Sequence, residues 1–287
     1  MDIRIITDSA SDIAGPMRPG LTILPMTITF GGTEYLDGVN LAHRDFYEKL
    51  IESDTLPTTS QISPFAFTEA ISEAVKAGDT AIVITMSGKL SGTCQSAHIA
   101  AEEFPGKAYV VDSENVTVGE RALVEYALRL RDAGMEAEAI VKELEKEKKN
   151  IHLIALLDTL EYLKKGGRIS KTAALAGNVL SIKPVVGVVD GEVIVLGKAR
   201  GSRQGNNLLA EKIKSSGGID FQKPYFLGYT GLTDALIQKY ITDNEALWKE
   251  HVKDLSVTTV GGTIGTHVGP GGIAVAYFAP SPRAGLL

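Results

Sequence analysis

Short apolar-rich runs alternate with amphipathic segments along the chain, and this alternation predicts a layered α/β fold. Residues 3–6, 81–85, 108–111 and 151–157 are mostly aliphatic and of strand length, which predicts buried strands. Between the second and third, residues 91–104 place Ala97, Ala100, Ala101 and Phe104 on one helical face. Ser63 followed by Pro64 predicts a helix cap and first turn, with Phe67, Ile71, Ala74 and Val75 as the apolar stripe and Gly78 at its end. Thr27 to Phe30, then Gly31–Gly32 and a second short run, predict a hairpin excursion over about 21–40. Helices over 117–133 and 136–149, separated by Gly134, lead into the run at 151.

The second half has a different texture. Residues 185–189 and 192–196 flank Asp190–Gly191, a two-residue hairpin signal. Further strands are predicted at 225–229, 256–260 and 272–278, with a helix near 233–251. The expected architecture is two α/β domains. Residues 1–157 form an N-terminal sandwich with a largely parallel sheet, and residues 158–287 a C-terminal mixed sheet with helices.

Composition narrows the function. The 287 residues are 44% hydrophobic and 22% charged, ordinary globular usage. A net charge of -6 without a basic stripe argues against nucleic acid. The Glu143 to Lys149 run alternates signs and reads as a solvated helix face. A single cysteine, Cys94, excludes an intrachain disulfide and fits a reducing compartment. No apolar run reaches the roughly eighteen residues of a spanning helix, and no leader precedes residue 3, so a cytoplasmic location is expected.

Several chemistries lack their residues. His43, His98, His152, His251 and His267 show no ligand spacing, so no metal is expected. No G-x-S-x-G elbow occurs, Gly88–Lys89 lacks the rest of a phosphate loop, and Gly262, Gly265 and Gly269 open no dinucleotide-binding unit. What remains is small polar residues beside strand ends. Ser87-Gly-Lys-Leu-Ser91-Gly92-Thr93 lies between a strand and a helix, where free N–H groups favour an anion and Ser91 adds a hydroxyl. Ser91 as a simple N-cap explains the same residue equally well. Thr58-Thr59-Ser60-Gln61 reads as a polar loop, Arg168 as a helix-end cation, and Arg200 and Arg203 as solvated residues after a strand. Gly265 to Gly272 reads as a flexible loop able to carry His267 to a ligand.

The ordered set Thr7-Asp8-Ser9, Thr59-Ser60-Gln61, Lys89-Leu-Ser-Gly-Thr93, Asp112-Ser113, Leu157-Asp-Thr-Leu-Glu-Tyr-Leu-Lys-Lys-Gly-Gly-Arg-Ile-Ser170, Ile182-Lys-Pro184 and Gly265-Thr-His267 resembles the DegV family over essentially the whole chain. The resemblance implies a long-chain fatty acid as ligand and no cofactor. It implies no catalysis by the chain itself, which would be a carrier subunit of a bacterial fatty acid kinase. A separate ATP-dependent kinase subunit would make the acyl phosphate used in phospholipid synthesis, and transient contact with a membrane surface is compatible with such a carrier. It assigns the carboxylate to Thr59 and Ser91, with Ser60 and Gly92 beside them, and places Arg168, Arg200 and His267 near the head group or its phosphate. Gly88, Cys94 and Ile62 depart from the family's usual serine, aromatic and proline. The first is expected to remove a polar contact and the second to widen the acyl tunnel.

Physics permits such a carrier. Burying sixteen carbons offers on the order of 12 kcal/mol at about 0.8 per methylene, less ordering and association costs. The carboxylate needs donors when buried. Two other functions fit the same residues: an enzyme acting on a small phosphorylated metabolite, with His267 as acid/base, and a lipid-sensing regulatory protein.

Overall fold

The computed structural model describes residues 2–14, 18–170, 182–253 and 255–280. Four strands, β1 (Ile3–Asp8), β2 (Leu21–Leu24), β6 (Thr80–Thr85) and β7 (Ala108–Asp112), form an all-parallel sheet in the order β2-β1-β6-β7. Every residue of β6 is buried, as expected of a parallel strand covered on both faces. Strand alternation divides its side chains between two layers. Ala81 and Val83 meet α2 (Pro64–Lys76) and α3 (Thr93–Ala101), whereas Ile82 and Ile84 meet α4 (Thr117–Asp132) and α5 (Ala137–Glu147). Ser63 caps α2 by accepting from the Ala66 N–H at 3.3 Å.

A second, six-stranded sheet runs β10-β9-β8-β13-β11-β12 and is antiparallel except between β11 and β12. Its strands are β8 (Ile151–Leu156), β9 (Ile182–Val189), β10 (Glu192–Arg200), β11 (Phe226–Tyr229), β12 (Val257–Thr259) and β13 (Ile273–Phe278). The turn between β9 and β10 has positive φ at both Asp190 and Gly191, the geometry of a tight two-residue hairpin. On one face Ile154 and Leu156 pack under α7 (Gly201–Ser215) and α8 (Ala235–Asp243). On the other, Leu153, Ala274 and Ala276 join the apolar layer that also contains Ile6 and Val83. Helix α4 packs on both sheets. β8 precedes residue 157, yet both its hydrogen-bonded neighbours are C-terminal strands. Drawn by sheet, the division falls before Ile151.

A small antiparallel sheet, β4-β3-β5, comprises β3 (Thr27–Phe30), β4 (Thr33–Leu36) and β5 (Thr58–Ser60). The excursion over 21–40 thus splits: β2 extends the parallel sheet, while β3 and β4 make the hairpin. Helix α1 (His43–Glu52) lines its inner side, and α6 (Glu161–Lys165) and α9 (Gly262–Val268) complete the elements around the site. No helix of the described residues is long and apolar enough to cross a membrane.

Candidate functional site

Residues 58–60, which read as a loop, form the edge strand β5, and its period of two separates neighbouring side chains. Thr59 turns inward, where its Oγ1 lies 2.9 Å from His267 Nε2. Ser60 is exposed and lines no part of the cavity described below. His267 itself is on α9, not in a flexible loop. Gly265, which suggested mobility, is instead required by packing, and so is Gly262. A Cβ at Gly262 would come 2.8 Å from Phe46, and one at Gly265 2.6 Å from Phe46 and 2.7 Å from the Tyr47 hydroxyl.

Two aspartate side chains anchor this short helix. Asp12 accepts from the Gly261 N–H at 2.7 Å, and Asp37 from Gly262 and Thr263 at 3.0 and 3.1 Å. Their oxygens satisfy orphan donors at the helix start. The Thr7-Asp8-Ser9 motif supports the same frame. Ser9 donates to Asp37 at 3.2 Å, and Asp8 accepts from the N–H groups of Ala10 and Met86 at 3.0 and 2.9 Å.

Ser91 approaches from the parallel sheet. Its Oγ accepts from the Thr93 N–H at 3.2 Å and shares a hydrogen bond with Thr93 Oγ1 at 2.9 Å, while Gly92 is the residue at the cap position of α3. Ser91 therefore serves the helix start and lines the cavity at once. Arg168 follows α6, and its guanidinium donates to the carbonyls of Leu90 at 3.2 Å and Gly166 at 2.6 Å. Its remaining N–H groups make no hydrogen bond among the described residues. The Gly166 position is fixed by His267: a Cβ there would overlap the imidazole Nδ1.

Thr59, Ser91, Arg168, His267 and the unforeseen Gln61 thus line one cavity. It adjoins a second, whose wall is aliphatic or glycine apart from Thr117 and Thr230. Val116, Leu163, Val193, Ile264 and Val268 line both, so the chamber that carries the polar side chains, the polar chamber below, shares a wall with the apolar one. Arg168, Leu90 and Val193 also border an open groove on the outer surface, between residues 167–170 and β10. Burial, reinforced by the positive charge of Arg168, pulls the His267 imidazole down to about 4, so it is neutral near pH 7. Its Nδ1 is buried and has no hydrogen-bond partner among the described residues. This arrangement can hold an anionic head group by hydroxyl and guanidinium donors, with a hydrocarbon tail beside it.

Not every expected residue is here. Arg200 is exposed at the end of β10, with its backbone N–H on Gln204 Oε1 at 2.9 Å, and does not line the cavity. Gly92 faces the Gln61 side chain rather than the cavity. Cys94 is buried and lines neither chamber. Gly88 donates its N–H to Asp112 at 3.0 Å, away from both chambers. Among the described residues, no group of three or more His, Cys, Asp or Glu could hold a metal ion.

Comparison with known proteins gives matches over nearly the whole chain. A family model described as "Uncharacterised protein, DegV family COG1307" matches residues 2–280. A DegV domain-containing protein of Caldanaerobacter subterraneus subsp. tengcongensis is 34% identical over 283 residues, covering 96% of this chain and 98% of the relative. A solved structure described as fatty acid binding of a DegV family protein from Thermus thermophilus superposes with TM-score 0.88 at 31% identity, covering 97% of this chain and 100% of that one. The fatty acid binding DegV family protein from Streptococcus agalactiae gives TM-score 0.83 at 27% identity, with 98% and 100% covered.

Proposed function

The chain belongs to the DegV family, and on that premise we propose that it binds one long-chain fatty acid and presents the carboxylate to a separate kinase. The observation that carries this reading is the junction of the two chambers. The four side chains Thr59, Ser91, Arg168 and His267 line a cavity that shares a wall with an aliphatic one. Relatives with the same fold and 27–31% identity are described as fatty acid binding.

The carboxylate sits between Thr59 and Ser91. Its charge is met by their hydroxyls and by the N–H groups that Arg168 does not spend on Leu90 and Gly166. Neutral His267 donates through Nε2 to Thr59 Oγ1, which leaves the threonine hydroxyl hydrogen free to point at the carboxylate. The tail enters the aliphatic chamber, where each buried methylene contributes about 0.8 kcal/mol. Arg168 borders both the chamber and the outer groove, which supports access by a partner protein to the head group. The chain itself supplies no phosphoryl donor in this reading. The kinase subunit brings ATP, and the acyl phosphate leaves on its carrier.

The test is to load the protein with labelled oleate and add a bacterial fatty acid kinase subunit with ATP. Acyl phosphate should form only when all three are present. Turnover by the isolated chain on a phosphorylated metabolite would replace the carrier reading.

A further inference from the structure

The floor of the apolar chamber is a single row of residues crossing the six-stranded sheet. Val186 on β9 is opposite Ala155 on β8, Ala155 opposite Ala274 on β13, and Ala274 opposite Gly228 on β11. Directly opposed residues share a face, and all four line the chamber. Side-chain size falls along the row, from valine through two alanines to glycine. The flanking positions on the same face, Leu153 on β8 and Leu157 just past its end, are large and also line the chamber. The row is therefore a trough running across the strands. Ala155 is the one residue of β8 that is not fully buried, as a residue facing an internal space would be.

The trough has a defined mouth and end. Val193, beside the β9–β10 turn, lines the polar chamber, the apolar chamber and the outer groove, which places the mouth at the β10 side. At the other side the roof descends onto Gly228: a Cβ there would lie 3.1 Å from Val260 and 3.2 Å from Val118. Those distances are tighter than ordinary contact, so glycine is what lets Val260 and Val118 close over β11 and end the space there. From β9 to β11 is three strand steps, about 14 Å at about 4.8 Å each. A hydrocarbon chain with bonds of about 1.5 Å and angles near 111° advances about 1.25 Å per carbon, so about eleven carbons fit the trough beyond those in the polar chamber.

We propose that Gly228 and Ala274 set the maximum acyl length, by forming the seat of the terminal carbons at the closed end of this trough. The inference rests on the fatty-acid reading of the site and adds which residues measure the tail. It makes the ligand a chain that ends in plain hydrocarbon.

The experiment compares wild type, Gly228→Ala and Ala274→Val for binding of saturated acids from dodecanoate to octadecanoate, with circular dichroism as the check on folding. In both variants octadecanoate affinity should fall at least tenfold while dodecanoate stays within about twofold. Lipid extracted from cells should shorten by about two carbons. Should Gly228→Ala fail to fold, Ala274→Val carries the test alone. A folded Ala274→Val variant with an unchanged length profile overturns the proposal, and so does an equal loss at every length. Wild type that binds no acid of any length would instead overturn the fatty-acid reading itself.

Discussion

Thr59 Oγ1 and His267 Nε2 stand 2.9 Å apart, joining an edge strand from the first sixty residues to a helix near the end of the chain. The contact ties the two partners of a candidate carboxylate site into one unit. Thr59→Val keeps the shape but removes the hydroxyl. It should lower fatty-acid affinity by about 1.5–3 kcal/mol, on the order of ten- to a hundredfold, with little change in melting temperature. Isothermal titration with oleate, paired with a thermal melt, measures both. A lowered melting temperature with unchanged affinity would make the pair structural only.

Ser91→Ala separates two roles in the same way. As a ligand donor Ser91 contributes affinity; as the acceptor of the Thr93 N–H it contributes about 1 kcal/mol to stability. Since the structure shows it doing the second while lining the cavity, both quantities should fall in this variant.

Gly166→Ala tests how His267 is placed. The new methyl group would overlap Nδ1, so the imidazole must leave its position against Thr59. The expected result is a folded protein with at least tenfold weaker oleate binding and an altered His267 signal in NMR spectra. A retained signal and retained affinity would show that the α6–α9 contact is loose.

His267 and the buried carboxyls give opposite pH dependences. The folded-state pKa of His267, about 4, is below its ordinary 6.5. The unfolded chain therefore takes up a proton first, and stability is lost as pH falls from about 6.5 towards 4. Asp8 is pushed up to about 7 and Asp12 to about 8, mainly by burial, and Glu120 is raised by burial and by Asp8. Here the folded state keeps protons that the unfolded chain has released. Their contribution is lost as pH rises from about 4 through 7 to 8. Denaturant titrations from pH 4 to 9 should show less alkaline loss in Glu120→Gln, which keeps an acceptor for the Thr7 hydroxyl at 3.0 Å. His267→Gln should show less acid loss.

Periodicity located β1, β6 and β8 because burial leaves nearly uninterrupted aliphatic runs, and it located β7, a half-buried edge strand, from the aliphatic run Ala108–Val111. It missed β5, whose three residues Thr58–Ser60 carry no apolar pattern, and α7, which opens on Gly201-Ser-Arg-Gln-Gly-Asn-Asn before Leu209 and Ile213 reach the core. It mistook α9 for a loop, since glycines chosen for close approach to Phe46 look like glycines chosen for freedom. The polar side chains of the site were visible as motif positions. Their convergence was not, because Thr59 and His267 are 208 residues apart. Leu153-x-Ala155-x-Leu157 shows a dip between two large residues, but only the cross-strand register with Ala274 and Gly228 turns that dip into a trough.

The central claim is that the joined chambers hold one fatty acid. Native mass spectrometry of protein purified gently from bacterial cells, followed by analysis of the extracted lipid, tests it most directly. The predicted result is one long-chain fatty acid per chain, displaced stoichiometrically by added palmitate or oleate. Apo protein alone, with no uptake of either acid, would contradict the account.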